Sequence, residues 1–195
     1  MHSTKRVNRI AIGVTGASGV IYAKRLLEVL NTKDVEVHLV ISKTAEKIIE
    51  YELNVGRDYL EKLARYSYSE DDIDAPLASG SFKMDGMVIV PCSVKTVAGI
   101  VSGYTDNLIL RAADVALKEK RKLILVPRET PLNVIHLRNM LELAKLGVII
   151  LPAMPAFYHK PEKIEELVDF IVGKILDILG IEHELFRRWG GETYK

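Results

Sequence analysis

The stretch Arg9-Ile10-Ala11-Ile12-Gly13-Val14-Thr15-Gly16-Ala17-Ser18-Gly19 decides the architecture of this chain. Its first half is an apolar, β-branched run too short for a helix; its second half is a turn of glycine and small hydroxylic residues. Directly after it, Val20, Ala23, Leu27 and Leu30 step by three and four, as one helical face requires. Strand, tight turn and amphipathic helix together open a βαβ unit. The same grammar repeats: apolar runs at 35–41, 87–90, 122–126 and 148–151 each precede a helical pattern. Most of these runs are continuous rather than alternating, which marks parallel strands covered on both faces. Helices are expected over about 43–53, over 93–101 and 106–119 as a pair broken near Gly103, over 130–146 and over 161–179. Thr130 before Pro131 reads as an N-cap with proline at the first helical position, and Gly180 as a stop. The expected fold class is therefore α/β: a Rossmann-like (flavodoxin-like) parallel sheet with helices on both faces. One domain should span 1–195, with 1–8 as a flexible N-terminus. The segment 56–83, polar and rich in Ser, Asp and Tyr, breaks the rhythm and reads either as a lid or as a surface excursion.

Bulk properties narrow the function classes. The formal net charge is +1 and no long Lys/Arg run occurs, so the electrostatic footprint of a nucleic-acid binder is missing. No apolar stretch approaches the length of a membrane span, and the run at 10–14 is too short for a signal-peptide core. The one cysteine, Cys92, excludes an internal disulfide framework and fits a reducing compartment, with the cytoplasm as the expected location. None of the five histidines falls at metal-ligand spacing, so no metal site is expected.

In an open α/β sheet ligands bind beyond the carboxyl ends of the strands. The first strand ends in Gly13, Gly16 and Gly19 at G-x-x-G-x-x-G spacing, which is neither the dinucleotide fingerprint nor a P-loop. A phosphate cradle at a helix N-terminus and a plain strand-to-helix turn both fit it. The second strand ends at Ser42, where a NAD-binding domain would place an acid for the ribose; a hydroxyl leaves room for a mononucleotide and also caps a helix. The third ends in Pro91-Cys92-Ser93-Val94-Lys95-Thr96, two hydroxyls and an ammonium on a first helical turn. Cys92 has no neighbouring histidine in sequence and reads as a buried small hydrophobe. The fourth ends in Arg128-Glu129, suited to phosphate contact and proton transfer, or to a surface ion pair. The fifth runs into Pro152, Pro155 and Pro161 around Phe157-Tyr158-His159, an aromatic loop that would wall an apolar pocket or form a packed turn. The last helix carries more than one apolar stripe (Ile164, Leu167, Val168, Ile171, Val172, Ile175, Leu176, Leu179), which fits burial against the sheet and a neighbouring subunit, or a well-covered core helix.

Taken in order, Thr15–Gly19, Ile41-Ser42-Lys43, Ala78-Ser79-Gly80-Ser81, Pro91–Thr96, Asp106-Asn107-Leu108-Ile109, Arg111-Ala112-Ala113-Asp114, Val126–Glu129, Phe157-Tyr158-His159 and Arg188-Trp189-Gly190 resemble the UbiX-type flavin prenyltransferases. The resemblance covers about 9–190. It implies a metal-independent enzyme that attaches the isoprenoid of dimethylallyl phosphate to N5 and C6 of reduced FMN, making prenylated FMN for UbiD-type decarboxylases. Carried over by motif, it implies that Gly16, Ala17, Ser18, Ser42, Ser93, Val94, Lys95, Thr96 and Arg128 hold FMN. Arg111, Lys118, Glu129, Tyr158 and Lys174 would surround the dimethylallyl phosphate, with Ser18, Glu52 and Glu129 in catalytic roles. It further implies a homododecamer with sites at subunit junctions. Lys174 stands where the family often has arginine, which keeps the charge and loses the bidentate fork. Without the resemblance, Arg111 and Lys118, seven apart, read as a solvated helix face.

Two other readings compete. Related flavoproteins that decarboxylate peptidyl or pantothenoyl cysteine carry P-A-S-A-N-T at the third strand and P-x-M-N-x-x-M-W near the fifth; this chain has Pro91–Thr96 and 152–158 instead. A non-catalytic FMN carrier would not need a second, phosphate-lined subsite.

Overall fold

The computed structural model describes residues 8–190. Of the expected flexible stretch 1–8, residues 1–7 lie outside the described residues, while Asn8 opens the first strand. Strands β1 (Asn8–Val14), β2 (Val35–Ile41), β3 (Tyr66–Ser69), β4 (Gly86–Cys92), β5 (Lys122–Pro127) and β6 (Ile149–Ile150) form one six-stranded sheet in the order β3-β2-β1-β4-β5-β6. Every pairing is parallel, with Ile12 opposite Leu39 on one side and Val88 on the other.

The continuous apolar runs have a simple cause: alternate residues of each strand enter different cores. Ile10, Ile12 and Val14 pack with Leu39, Ile41, Val88 and Val126 beneath α1 (Val20–Asn31), α2 (Lys43–Leu53) and α7 (Ile164–Leu179). Ala11, Val40, Met87, Ile89 and Leu125 join the opposite cluster, covered by α4 (Val94–Val101), α5 (Leu108–Lys118) and α6 (Val134–Lys145). Both faces of the central strands are thereby removed from water, the dominant favourable contribution to folding.

The strand order reverses between β1 and β4, so the crevice beyond their carboxyl ends is the topological switch point where such sheets bind ligands. The segment 56–83 is a surface excursion that adds α3 (Arg57–Glu61), the edge strand β3 and a 3-10 turn at Pro76–Ala78. Glu70, just past β3, ties it to the first residues of α2 and α5: its carboxylate accepts the Lys43 N–H (2.8 Å) and its carbonyl accepts from Leu108 (2.8 Å).

Two helix starts differ by three residues or more from the sequence expectation. The cap of α6 is Asn133, not Thr130: its Oδ1 accepts the His136 N–H (2.9 Å), and the His136 ring accepts the Asn133 N–H in return. A capping asparagine inside the expected first turn outcompetes continuation of the helix there, and Pro131 stays in the approach. Helix α7 begins at Ile164 rather than near Pro161, because the Glu166 carboxylate takes the Glu162 N–H (2.8 Å) and holds the approach outside the helix. The fifth expected strand is shortened to Ile149–Ile150.

Candidate active site

Thr15 joins the two strand ends at the switch point. Its buried hydroxyl donates to the Pro91 carbonyl (2.9 Å) and accepts the Ser93 N–H (2.8 Å), fixing the loop after β1 against the loop after β4. Gly16 is glycine for lack of space: a Cβ there would stand 2.5 Å from Thr44 Cγ2. Gly19 adopts a left-handed backbone (φ 102°) to turn the chain into α1. The first N–H groups of α1 are not free, because Glu52 Oε2 accepts from Gly19 (2.9 Å) and Val20 (3.3 Å). Its carboxylate is the negative charge at that helix terminus, and the loop 15–18, rather than the helix end, borders the open space at the switch point.

Beside this loop Ser42 caps α2 by accepting from Ala45 (3.1 Å), and Ser93 caps α4 by accepting from Thr96 (3.2 Å) while pairing with the Thr96 hydroxyl (2.9 Å). Helix geometry leaves the N–H groups of Val94 and Lys95 without intrahelical acceptors. Arg128 reaches back across the sheet edge, its Nε–H donating to the Ser18 carbonyl (3.1 Å) instead of pairing with Glu129. Cys92 is fully buried behind the cradle, and desolvation pushes its thiol far above the usual range, which disfavours the thiolate.

These groups line one cleft of about 990 Å³. Gly16, Ala17, Ser18, Ser42, Ser93, Val94, Lys95, Thr96, Arg128 and Glu129 all border it. Sequence reasoning missed Thr44, Glu70, Tyr104 and the wall formed by Ala98, Gly99, Ile109 and Leu110. Ile109 and Leu110 are core residues of α5, and no local pattern separates them from the rest of that apolar face. The cleft therefore pairs a hydroxyl- and cation-rich end with an apolar wall, which fits a phosphate on a flat aromatic ring system.

The other expected residues lie elsewhere on the protomer. Glu52 sits behind the loop 15–19. Arg111 and Lys118 flank the 78–81 segment: Arg111 donates to the Ala78 carbonyl (3.2 Å) and to Asp114 (2.9 Å), and Lys118 pairs with Glu119 (2.6 Å). Arg121 joins them there, donating to the Gly80 carbonyl (2.7 Å). Tyr158 and Lys174 belong to a third locus, where the β6–α7 loop and the C-terminal segment meet. Phe157 is 68% exposed and does not border the cleft. Among the described residues no three His, Cys, Asp or Glu side chains come together in a way that would hold a metal ion, and no helix is long and apolar enough to cross a membrane.

Comparison with known proteins places this geometry. A family model described as Flavoprotein matches residues 1–176. The flavin prenyltransferase UbiX of Methanocaldococcus jannaschii is 56% identical over 182 residues, covering 93% of this chain and 98% of that protein. A crystal structure of AnUbiX in complex with FMN and dimethylallyl pyrophosphate superposes with a TM-score of 0.94 at 49% identity, covering 95% of this chain and 99% of that one. A dodecameric FMN-dependent UbiX-like decarboxylase from Escherichia coli O157:H7 gives a TM-score of 0.92 at 48% identity, covering 94% and 100%.

Proposed function

This chain belongs to the Flavoprotein family and, within it, to the flavin prenyltransferases, and from that premise we propose that it joins the dimethylallyl group of dimethylallyl phosphate to N5 and C6 of reduced FMN. The observation that carries the reading is the cleft itself: two capped strand ends, cross-linked by Thr15, face one apolar wall across a space sized for a mononucleotide. In this reading Gly16, Ala17 and Ser18, with Ser42, Ser93–Thr96 and Arg128, hold the FMN phosphate and ribityl chain, and Ile109 and Leu110 back the ring. Reduced FMN supplies the nucleophilic nitrogen and ring carbon.

The protein's own contribution is to help the allylic C–O bond break and to manage the proton. Charge that gathers on the departing phosphate oxygens is stabilised by cations held in place before reaction. Arg111, Lys118 and Lys174 take that role, Glu129 holds the proton delivered to a leaving oxygen, and Tyr158 offers a π face to the allyl group. Ser18 borders the cleft and would stand near the reacting ring, and Glu52 would act through the loop that carries Ser18.

Because Arg111 and Lys118 in one protomer lie at the 78–81 segment, we assign them to a neighbour's cleft, in a dodecamer like the Escherichia coli relative. The exposed apolar face of α6 (Val134, Ile135, Leu137, Leu141) is surface that such an assembly would cover. We further propose that the product serves a UbiD-type decarboxylase and that the reaction runs in the cytoplasm, a compartment in keeping with a lone, buried, unpaired cysteine.

Anaerobic incubation with reduced FMN and dimethylallyl phosphate, followed by mass analysis, should give flavin heavier by one isoprenoid unit. Unmodified flavin in protein that demonstrably binds reduced FMN overturns the reading. Dimethylallyl pyrophosphate run alongside tests the choice of leaving group. Glu129→Gln should bind FMN normally and turn over at least about a hundredfold more slowly, as loss of a proton-transfer group implies.

A further inference from the structure

The Arg188-Trp189-Gly190 motif has no place in the cleft, yet Arg188 and Trp189 stand beside two residues assigned to the substrate. The segment after α7 folds back onto that helix. Gly173 makes the notch: a Cβ there would stand 2.4 Å from Phe186 Cε1 and 2.7 Å from His183 Cε1. Asp177, one helical turn from Lys174, makes the latch. Its Oδ1 accepts from Arg188 Nη2 (2.6 Å) and His183 Nε2 (3.1 Å), its Oδ2 accepts from Arg188 Nη1 (3.0 Å), and the Lys174 ammonium lies 4.0 Å from Oδ2.

The latch is built, unlike a casual surface pair. The His183 side chain is only 2% exposed, and its Nδ1 accepts the Leu185 N–H (3.2 Å), so its remaining proton sits on Nε2 and points at Asp177. Arg188 engages with both arms of its fork, the geometry in which an exposed guanidinium gives up least freedom per bond. These donors, Arg188 foremost, hold the Asp177 carboxyl below the usual carboxylate range. Beyond the latch, Trp189 meets the Tyr158 ring edge-on at 5.4 Å, and Tyr158 packs on Phe170, which meets the Phe186 ring at a 49° tilt, 4.9 Å between centroids. A line of neighbours thus runs from Lys174, 4.0 Å from the Asp177 carboxylate, through Arg188 to Trp189, next to it in sequence, and on to Tyr158.

We infer that Asp177 is a positioning residue for the prenyl-phosphate subsite: one carboxylate sets a counter-charge beside the Lys174 ammonium and, through Arg188, holds the segment that carries Trp189 against Tyr158. The inference rests on the reading above, which gives Lys174 and Tyr158 to the substrate. It also answers a weakness of lysine at 174: a flexible ammonium has many rotamers, and a fixed counter-charge at its side restricts them.

The test uses the full-length assembled protein. Asp177→Asn keeps the shape and removes the charge; Arg188→Gln opens the latch from its exposed end without altering α7. Both should raise KM for dimethylallyl phosphate about tenfold, as loss of one charge-assisted contact implies. Reduced-FMN affinity should stay unchanged. Trp189, the one tryptophan, should rotate faster in time-resolved fluorescence anisotropy. Lys174→Met separates the two readings. If it raises KM and the latch variants free Trp189 without changing KM, the latch is structural and the positioning role is wrong. An unchanged KM in Lys174→Met removes the substrate assignment, and the inference falls with it. Unchanged Trp189 rotation in both latch variants overturns the latch itself.

Discussion

Replacing Thr15 by valine tests whether the two halves of the cleft depend on one hydroxyl. Valine has the same shape, so the change removes hydrogen bonding and little else. The Pro91 carbonyl would keep its bond from the Thr15 N–H (3.3 Å), while the Ser93 N–H would lose its acceptor at 2.8 Å. One lost bond and one orphaned, part-buried donor together cost about 2–3 kcal/mol. For a chain of this size that lowers the melting temperature by about 4–12 °C. Because Thr15 lies between Gly16–Ser18 and Ser93–Thr96, FMN affinity should fall as well. Thermal unfolding at one fixed protein concentration, which matters for an oligomer, and flavin titration by fluorescence quenching give the two numbers. Thr15→Ser keeps the oxygen and should lose less than half as much. Valine variants that melt within a degree of the parent and bind FMN equally would refute the reasoning. A serine variant as damaged as the valine one would place the effect in the lost methyl.

Gly16→Ala drives a Cβ to 2.5 Å from Thr44 Cγ2; FMN affinity should fall about tenfold or more, as overpacking of this kind costs, and Thr44→Ser in the same chain should restore part of it in a flavin titration. Cys92, buried and with its thiol pushed up by desolvation, should resist an aqueous thiol reagent at pH 8 and react fully in denaturant, and Cys92→Ala should keep its turnover; rapid labelling of the native protein would contradict this. Acid should weaken the fold in two steps. Burial lowers the His38 pKa below 6.5, so its neutral form is favoured, and stability falls as pH drops below 6.5, where only the unfolded chain takes the proton. Arg9 and then His38 hold Glu36 below 4.5, so its stabilising charge is lost as pH falls further, through its folded pKa. Urea midpoints from pH 8 down to 2 should show both steps, and His38→Gln should abolish the upper one.

The sequence by itself determined whatever depends on a few neighbouring residues. Continuous apolar runs specified parallel strands buried on both faces, and Ser42 showed its capping position because a cap is a contact within one helical turn. The start of α6 was misplaced because Asn133, three residues beyond the expected cap Thr130, accepts the His136 N–H and takes the capping position. Tyr66-Ser67-Tyr68-Ser69 carries too little apolar content to announce a strand, and becomes β3 because the open edge of β2 supplies its hydrogen bonds.

Only the tertiary structure decided how distant segments serve one another. Thr15 finds Ser93 because β1 and β4 are neighbours in the sheet, and Glu52 finds the start of α1 because α2 packs beside it. Asp177 gathers Lys174, His183 and Arg188 because Gly173 leaves room for the returning chain. Periodicity tells each element which face to bury but not which loop will stand opposite its end. The cleft was therefore legible as a set of strand ends, while its walls and the residues that brace it became visible only once the sheet had brought them within reach.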